Sequence, residues 1–267
     1  MLVPRQENDR AVTWIALTRE VSPAIGDCEL THLVRQPIDL DRARAQHRSY
    51  EEALRGLGCR VERLPAKPEL PDAVFVEDTA LVVDELAVIT RPGAPSRQPE
   101  TESTSEALAA YRRIAVIPPP GTLDGGDVLR VGHQVFVGRS TRSNGAGVDS
   151  VRGILAPFGY TVSSVDLEGC LHLKSAATEV APGTVLVNPA WVDKAAFGAT
   201  RLIEVDPEEP FAANALRIGR SVLYPTAFPR TRRRLEDCGL EVVAVDLSEL
   251  AKAEGAVTCC SIVFSTH

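Results

Sequence analysis

The chain repeats one order of elements five times, and the fifth copy is divided between its two ends. Residues 79–83 and 86–90 are apolar runs flanking Asp84-Glu85, the pattern of a β-hairpin. A Pro/Gly/Ser loop follows, then a helical stretch near 102–113 and a short strand over 114–117, stopped by Pro118-Pro119-Pro120. The order recurs with strands at 128–130 and 134–137, a helix over 147–157 and a strand over 160–165. A third copy has a hairpin around Gly183, a short helix over 191–197 and a strand over 201–205. In the fourth, strands at 215–218 and 221–224 precede a helix reaching Cys238 and a strand over 241–245. The fifth pairs a C-terminal segment, 255–264, with the N-terminal strand 14–17. Its helix carries Leu40, Ala43, His47, Tyr50, Leu54 and Leu57 on one face, with Asp39 as N-cap and Gly58 as stop.

Five ββαβ units at a period of roughly 40 to 60 residues suggest an array or propeller. A unit completed by both chain ends suggests that the array closes into a ring. We therefore expect an α/β fold, a five-bladed α/β propeller with pseudo-fivefold symmetry, as one domain over residues 1–267. An open α/β sheet is the plainer alternative, but it leaves the divided unit unexplained. No Gly-rich strand-to-helix phosphate loop is present, which argues against a nucleotide-binding doubly wound sheet.

Composition narrows the partners. The net charge is −7 and no basic stripe is interleaved with aromatics, which argues against nucleic acid. The one dense basic run, Arg230-Thr231-Arg232-Arg233-Arg234, reads as a solvated helix face. No apolar run approaches the ~20 residues that cross a bilayer, and residues 1–8 hold no signal-like apolar segment. We expect a cytoplasmic protein with its six cysteines reduced. Whether it forms an oligomer is left open.

Each unit opens its first strand with polar residues, and in a ring these equivalent positions converge on the axis. They are Asp72 with Glu77-Asp78, Asp124-Gly125-Gly126-Asp127, His172-Leu173-Lys174-Ser175, Asn214, and Cys259-Cys260. If residues 255–264 form one strand, alternation puts Cys260, Ile262 and Phe264 on an apolar face and presents Cys259 with Ser261 on the other. A presented thiol, an imidazole and a carboxylate are the parts of a nucleophilic site: Cys259 to attack, His172 to carry the proton, Asp124 to orient it. Glu77 and Asp78 are surplus to that set. Buried carboxylates without a cation are costly, so they imply a cationic electrophile such as a guanidinium. Arg97 and Arg142 follow the second strand of their units and would suit a substrate carboxylate.

Plainer readings stand beside these. A lone histidine among leucines is often a core residue, Gly125-Gly126 could serve a bulge, and Asp127 and Asn214 could be turn formers or caps. A Cys/His/carboxylate set could also bind zinc, but no CxxC or HxxxH spacing supports a structural site, so zinc would be adventitious.

These residues lie in strings that resemble the dimethylarginine dimethylaminohydrolases of the guanidine-modifying, or pentein, superfamily. The strings are Phe75-Val76-Glu77-Asp78, Ile89-Thr90-Arg91-Pro92-Gly93-Ala94-Pro95-Ser96-Arg97, Thr122-Leu123-Asp124-Gly125-Gly126-Asp127-Val128-Leu129, Leu171-His172-Leu173-Lys174-Ser175, Ala212-Ala213-Asn214 and Ala256-Val257-Thr258-Cys259-Cys260-Ser261. The resemblance implies a five-bladed α/β propeller without cofactor that releases citrulline from methylated arginines. It implies Cys259 as nucleophile, His172 as proton carrier, Asp124 as its orienter, and Glu77 and Asp78 holding the guanidinium. Arg97 and Arg142 would take the α-carboxylate. Asp72 and the backbone of Leu30, on a lid-like loop over 19–31, would hold the α-amino end, and the backbone of Ala253 would add a contact. Arginine deiminases are the nearest alternative, but they lead into their cysteine with a Gly-Pro-Arg-like string where this chain has Val257-Thr258. A non-catalytic binding protein on the same fold is the other.

Overall fold

The computed structural model describes residues 13–266. The 1–8 stretch, and the two ends of the 1–267 span, lie outside the described residues. Within them the chain forms five separate three-stranded sheets.

The first unit contains β1 (Thr13–Arg19), α1 (Leu40–Gly56) and β2 (Cys59–Leu64). The second has β3 (Ala80–Val82), β4 (Leu86–Ile89), α2 (Thr101–Ala109) and β5 (Arg113–Val116). The third has β6 (Val128–Val131), β7 (Gln134–Arg139), α3 (Gly145–Leu155) and β8 (Thr161–Asp166). The fourth begins with the short α4 (Leu173–Ala176) and continues through β9 (Ala177–Ala181), β10 (Thr184–Val187) and β11 (Arg201–Glu204). The fifth has β12 (Leu216–Ile218), β13 (Ser221–Pro225), α5 (Pro229–Asp237) and β14 (Glu241–Val245). Then α6 (Ser248–Ala251) leads to β15 (Ile262–Thr266).

Every sheet has the same internal order, an antiparallel hairpin followed by a parallel third strand, as in β3-β4-β5. β15 supplies the missing hairpin arm of the first unit, with Ile15 opposite Phe264 and Leu17 opposite Ile262. Parallel pairing requires a crossover, which a 3₁₀ turn, Lys194–Phe197, provides in the fourth unit and a helix in the other four. The first-arm strands neighbour one another around an axis, β15 beside β3, β6 beside β9 and β9 beside β12. This is the five-bladed α/β propeller expected from the repeat, and the divided unit closes it.

α1 shows why the pattern was readable. The Asp39 carboxylate accepts from the Arg42 N–H at 3.0 Å as N-cap, and Gly58 takes φ +89° just past the end. Ala43, His47, Tyr50 and Leu54 are buried, and Leu40 and Leu57 are half-buried against the same core. α5 likewise buries Thr231 and Leu235 and turns its arginines outward, where Arg230, Arg232 and Arg234 pair with Glu208, Glu236 and Asp206.

Two expectations are corrected. The helix expected over 191–197 shrinks to one 3₁₀ turn, Lys194–Phe197, begun by the Asp193 carboxylate capping the Ala195 N–H. More consequentially, residues 255–264 are not one strand: Val257–Cys260 form a turn and β15 starts only at Ile262. The turn is imposed from outside the segment. The Glu77 N–H donates to the Cys259 carbonyl, and Asn214 Oδ1 accepts from the Thr258 N–H at 3.0 Å. Strand alternation therefore does not apply to the two cysteines. Cys260 is nonetheless fully buried and Cys259 half-buried.

Candidate active site

The polar openings of the units meet at the axis through hydrogen bonds. Glu77, in a 3₁₀ turn (Val76–Thr79) before β3, accepts from Lys174 Nζ and from Thr258 Oγ1, each at 2.6 Å. Lys174 Nζ also reaches the Gly125 carbonyl at 3.3 Å. Asn214 Nδ2 donates to the Lys174 carbonyl and to Thr258 Oγ1, both at 3.0 Å. Five units thus join in one ring of contacts around Glu77. Neither Lys174 nor Thr258 is marked by sequence pattern as a site residue, although Lys174 sits two places after the candidate histidine. Glu77, Lys174 and Thr258 line a cavity of about 200 Å³ between the first-arm strands.

His172 stands beside this ring, 6% exposed, as the residue preceding α4. Its Nε2 lies 3.1 Å from Asp124 Oδ2, and its Nδ1 faces Asp78 Oδ1 at 3.8 Å. Asp124 is itself held, its Oδ1 accepting from the Gly93 N–H at 2.8 Å. Asp127 does not face the imidazole as a bonding partner. It accepts from the Leu173 N–H at 3.0 Å and from the Ser140 and Ser143 hydroxyls, and so anchors the backbone that carries His172. Here the plainer reading of Asp127 as a backbone cap is the observed one. Gly125 and Gly126 do more than permit a turn. A Cβ on Gly125 would meet the Glu77 carbonyl at 1.9 Å, and one on Gly126 would meet His172 Nδ1 at 2.6 Å.

The electrostatics follow from burial opposed by charge. Burial disfavours the imidazolium of His172, but Asp78, Asp127 and Asp124 outweigh it and raise its pKa to about 9. Burial would raise Asp78, but His172 and Arg97 outweigh it and hold Asp78 down to about 2. Burial, with Asp124 adding to it, pushes Asp127 up to about 6 against the pull of His172 and the Ser140 and Ser143 hydroxyls. Burial, with Glu77 and Asp78 adding to it, pushes the Cys259 thiol up to about 12. At neutral pH the site is therefore a protonated imidazole and a protonated thiol facing fixed carboxylates. Asp78, Asp124 and His172 offer donor atoms within 4.8 Å of one another. Two guanidiniums already lie against that set, Arg97 Nη1 at 2.6 Å from Asp78 and Arg142 Nη1 at 3.9 Å from Asp124, and so compete for the oxygens that a metal ion would need.

The two arginines are placed differently. Arg97 is 4% exposed, and its donors are taken by Asp78, Glu100 and the carbonyls of Asp72 and Phe75. Arg142 is freer: Nη2 donates to Thr31 Oγ1 at 3.2 Å. Glu100, which neutralises Arg97, carries no signal in the sequence as a site residue. Asp72 accepts from the Glu29 N–H at 3.0 Å, so the lid-like loop lies against it. Leu30 and Ala253 belong to the same apolar cluster as Phe75, Val257 and Cys259. An apolar cleft of about 330 Å³ lies alongside, lined by Leu33, Leu171, Trp191, Phe211, Phe228 and Val257 among others, but not by Cys259, His172 or Asp124.

The chain is similar to known proteins over most of its length. No protein-family model matches the chain. It is 40% identical over 248 residues to an N(G),N(G)-dimethylarginine dimethylaminohydrolase of Streptomyces coelicolor, covering 92% of this chain and 95% of that one. It is 36% identical over 228 residues to the enzyme of the same name from Pseudomonas aeruginosa, covering 85% and 90%. Its structure matches that of the Pseudomonas aeruginosa protein, a cysteine-to-serine mutant complexed with citrulline, with a TM-score of 0.90, 34% identity, and coverage of 94% and 100%. A histidine-to-glycine dimethylarginine dimethylaminohydrolase adduct with S-methyl-L-thiocitrulline matches at a TM-score of 0.88 and 34% identity, covering 93% of this chain and 98% of that one.

Proposed function

The chain belongs to the dimethylarginine dimethylaminohydrolase family, and we propose that it hydrolyses Nω-methylated arginines to citrulline, releasing methylamine or dimethylamine. The observation that carries this reading is electrostatic. A thiol and an imidazole stand beside the buried carboxylates Glu77 and Asp78, which now hold Lys174 and Arg97 and would accept a guanidinium in exchange.

The chemistry then follows from the pKa pattern. A guanidinium entering beside Glu77 and Asp78 offsets their part of the field that, with burial, keeps Cys259 protonated, so the thiol releases its proton to solvent as the substrate binds. The thiolate bonds to the guanidinium carbon, and the C–N bond to the methylated nitrogen breaks. That nitrogen takes the proton of the His172 imidazolium and leaves as a neutral amine. His172, now neutral, accepts a proton from water as the oxygen adds to the S-alkylthiouronium carbon. The C–S bond breaks, citrulline forms, and the remaining proton returns the thiolate to thiol. Asp124 holds the ring and stabilises its cation, the role of the third member of a triad.

Glu77 and Asp78 orient the guanidinium in this reading. Arg142 and Arg97 meet the α-carboxylate, and Asp72 with the Leu30 and Ala253 backbones meets the amino end. Arg97 exchanges part of its present bonding with Asp78 and Glu100 when it does so. Apart from substrate and water, only the chain's own groups enter these steps. We read the protein as one domain over 1–267, acting in the cytoplasm on a small molecule. Its six free thiols and the lack of any described helix able to cross a membrane support that reading.

A panel of arginine, monomethylarginine and asymmetric dimethylarginine, assayed for citrulline, tests the function. Turnover of the methylated substrates well above arginine is expected. Preference for arginine would make the chain a deiminase, and no turnover of any would remove the enzymatic reading.

A further inference from the structure

Among the described residues, Glu254 is the one non-glycine with a positive φ, +59°. That conformation disfavours any residue with a Cβ, and here it has a visible consequence. It turns the side chain back across the site onto the lid-like loop. The carboxylate accepts three consecutive backbone amides, Thr31 at 3.1 Å and His32 and Leu33 at 2.6 Å each. Among the described residues these amides have no other acceptor.

The loop is also held on either side of these amides, with Arg35 donating to the Gly26 and Cys28 carbonyls and Lys252 to the Pro37 carbonyl at 3.1 Å. Asp72 takes the Glu29 N–H, and Ser96 donates to the Glu29 carboxylate at 2.6 Å. Beyond Leu33 it becomes open, with Val34 85% exposed. Among the described residues Glu254 is thus the one acceptor for the backbone amides at 31–33, the middle of the segment between those ties. These residues include Thr31, whose hydroxyl accepts from Arg142, and they follow directly on Leu30. Glu254 itself stands between Ala253 and the turn bearing Cys259. One carboxylate therefore links the nucleophile segment, the loop and, through Thr31, Arg142.

We propose that Glu254 is a positioning residue that latches the 29–34 loop over the site, trading an unfavourable backbone conformation for three amide contacts. It touches no reacting atom. It keeps Leu30 and Arg142 where they meet the amino-acid end of the substrate, so its kinetic signature rests on the proposed hydrolysis of methylarginines, whereas the latch itself does not.

The discriminating variant is Glu254→Gly, which removes the carboxylate and relieves the backbone at once, so it does not weaken the rest of the fold. We expect its melting temperature to equal or exceed that of the wild type. We expect amide hydrogen exchange of residues 29–34 to rise by about 10-fold or more, and that of β15 to stay unchanged. With asymmetric dimethylarginine, KM should rise by about 10-fold and kcat by less than about 3-fold in either direction. Glu254→Gln, which keeps one acceptor oxygen, should fall between the two. Unchanged exchange at 29–34 in the glycine variant would overturn the latch. So would faster exchange with both KM and kcat unaltered, or a lower melting temperature with β15 exchanging faster, the sign of a purely structural residue. If the wild type turns over no methylarginine, the functional reading fails while the exchange measurement still decides the latch.

Discussion

Gly126 lies directly against His172: a Cβ there would stand 2.6 Å from the imidazole Nδ1 and 2.8 Å from Asp78 Oδ1. The Gly126 N–H meanwhile donates to that same oxygen at 2.9 Å. The glycine thus sets the spacing between the imidazole and the carboxylate that raises its pKa. Gly126→Ala must push His172 off Asp124 or displace Asp78. Loss of about 10²-fold or more in kcat is expected with cooperative unfolding retained, because misplacement by about 1 Å costs that much in an oriented site. Full activity in the alanine variant would mean that His172 need not sit where it does.

Adjacent cysteines with unequal surroundings should behave unequally. Cys259→Ser is expected to leave less than about 1% of wild-type turnover, since a hydroxyl is far the weaker nucleophile. Cys260 is fully buried, with Sγ 3.6 Å from the Ala256 carbonyl. Cys260→Ser should keep kcat within about 3-fold and cost about 1–3 kcal/mol of stability, from a hydroxyl placed in an apolar cluster. Citrulline assays paired with thermal melts of both variants check this, and the reverse assignment would move the nucleophile to Cys260.

Arg142 is the freer of the two candidate carboxylate-binding arginines. Arg142→Ala is expected to raise KM about 10- to 100-fold with little change in kcat, the mark of uniform substrate binding lost. Collapse of kcat at unchanged KM would place Arg142 at the reacting centre instead.

Burial, reinforced by Glu77 and Asp78, raises the Cys259 thiol to about 12. A raised thiol pKa favours the protonated form, so reactive thiolate accumulates only as pH climbs. Alkylation of the free protein by iodoacetamide at Cys259 should therefore accelerate continuously from pH 7 to about 10. Occupation by a guanidinium offsets the carboxylate part of the shift, so kcat should reach its plateau at lower pH than the alkylation rate. An alkylation rate already level below pH 8 would contradict this account of the site.

The contrast between α1 and the Cys259 turn shows where sequence reading holds. The α1 signals are local: a cap at Asp39, a stop at Gly58 and an apolar face between them, all within one helix length. The Cys259 turn has no such local signal. Val257 to Phe264 is apolar enough to pass for a strand, and what bends it are contacts to Glu77 and Asn214 from other units. Arg97 shows the same limit. Its position after a second hairpin strand was readable, whereas its commitment to Asp78 and Glu100 was not.

What the sequence alone determined is the repeat, its closure through the divided unit, and the residue types gathered at the axis. Those properties are written in short-range hydrophobic pattern and in register, which each segment carries by itself. Tertiary structure alone decided the pairing: Lys174 with Glu77 across 97 residues, Glu254 with the loop amides across more than 200, and the imidazole against Gly126. Charge pairs and close approaches depend on which side chains the closed ring brings within a few ångströms. That proximity follows from the packing of all five units together, which no single stretch of sequence specifies.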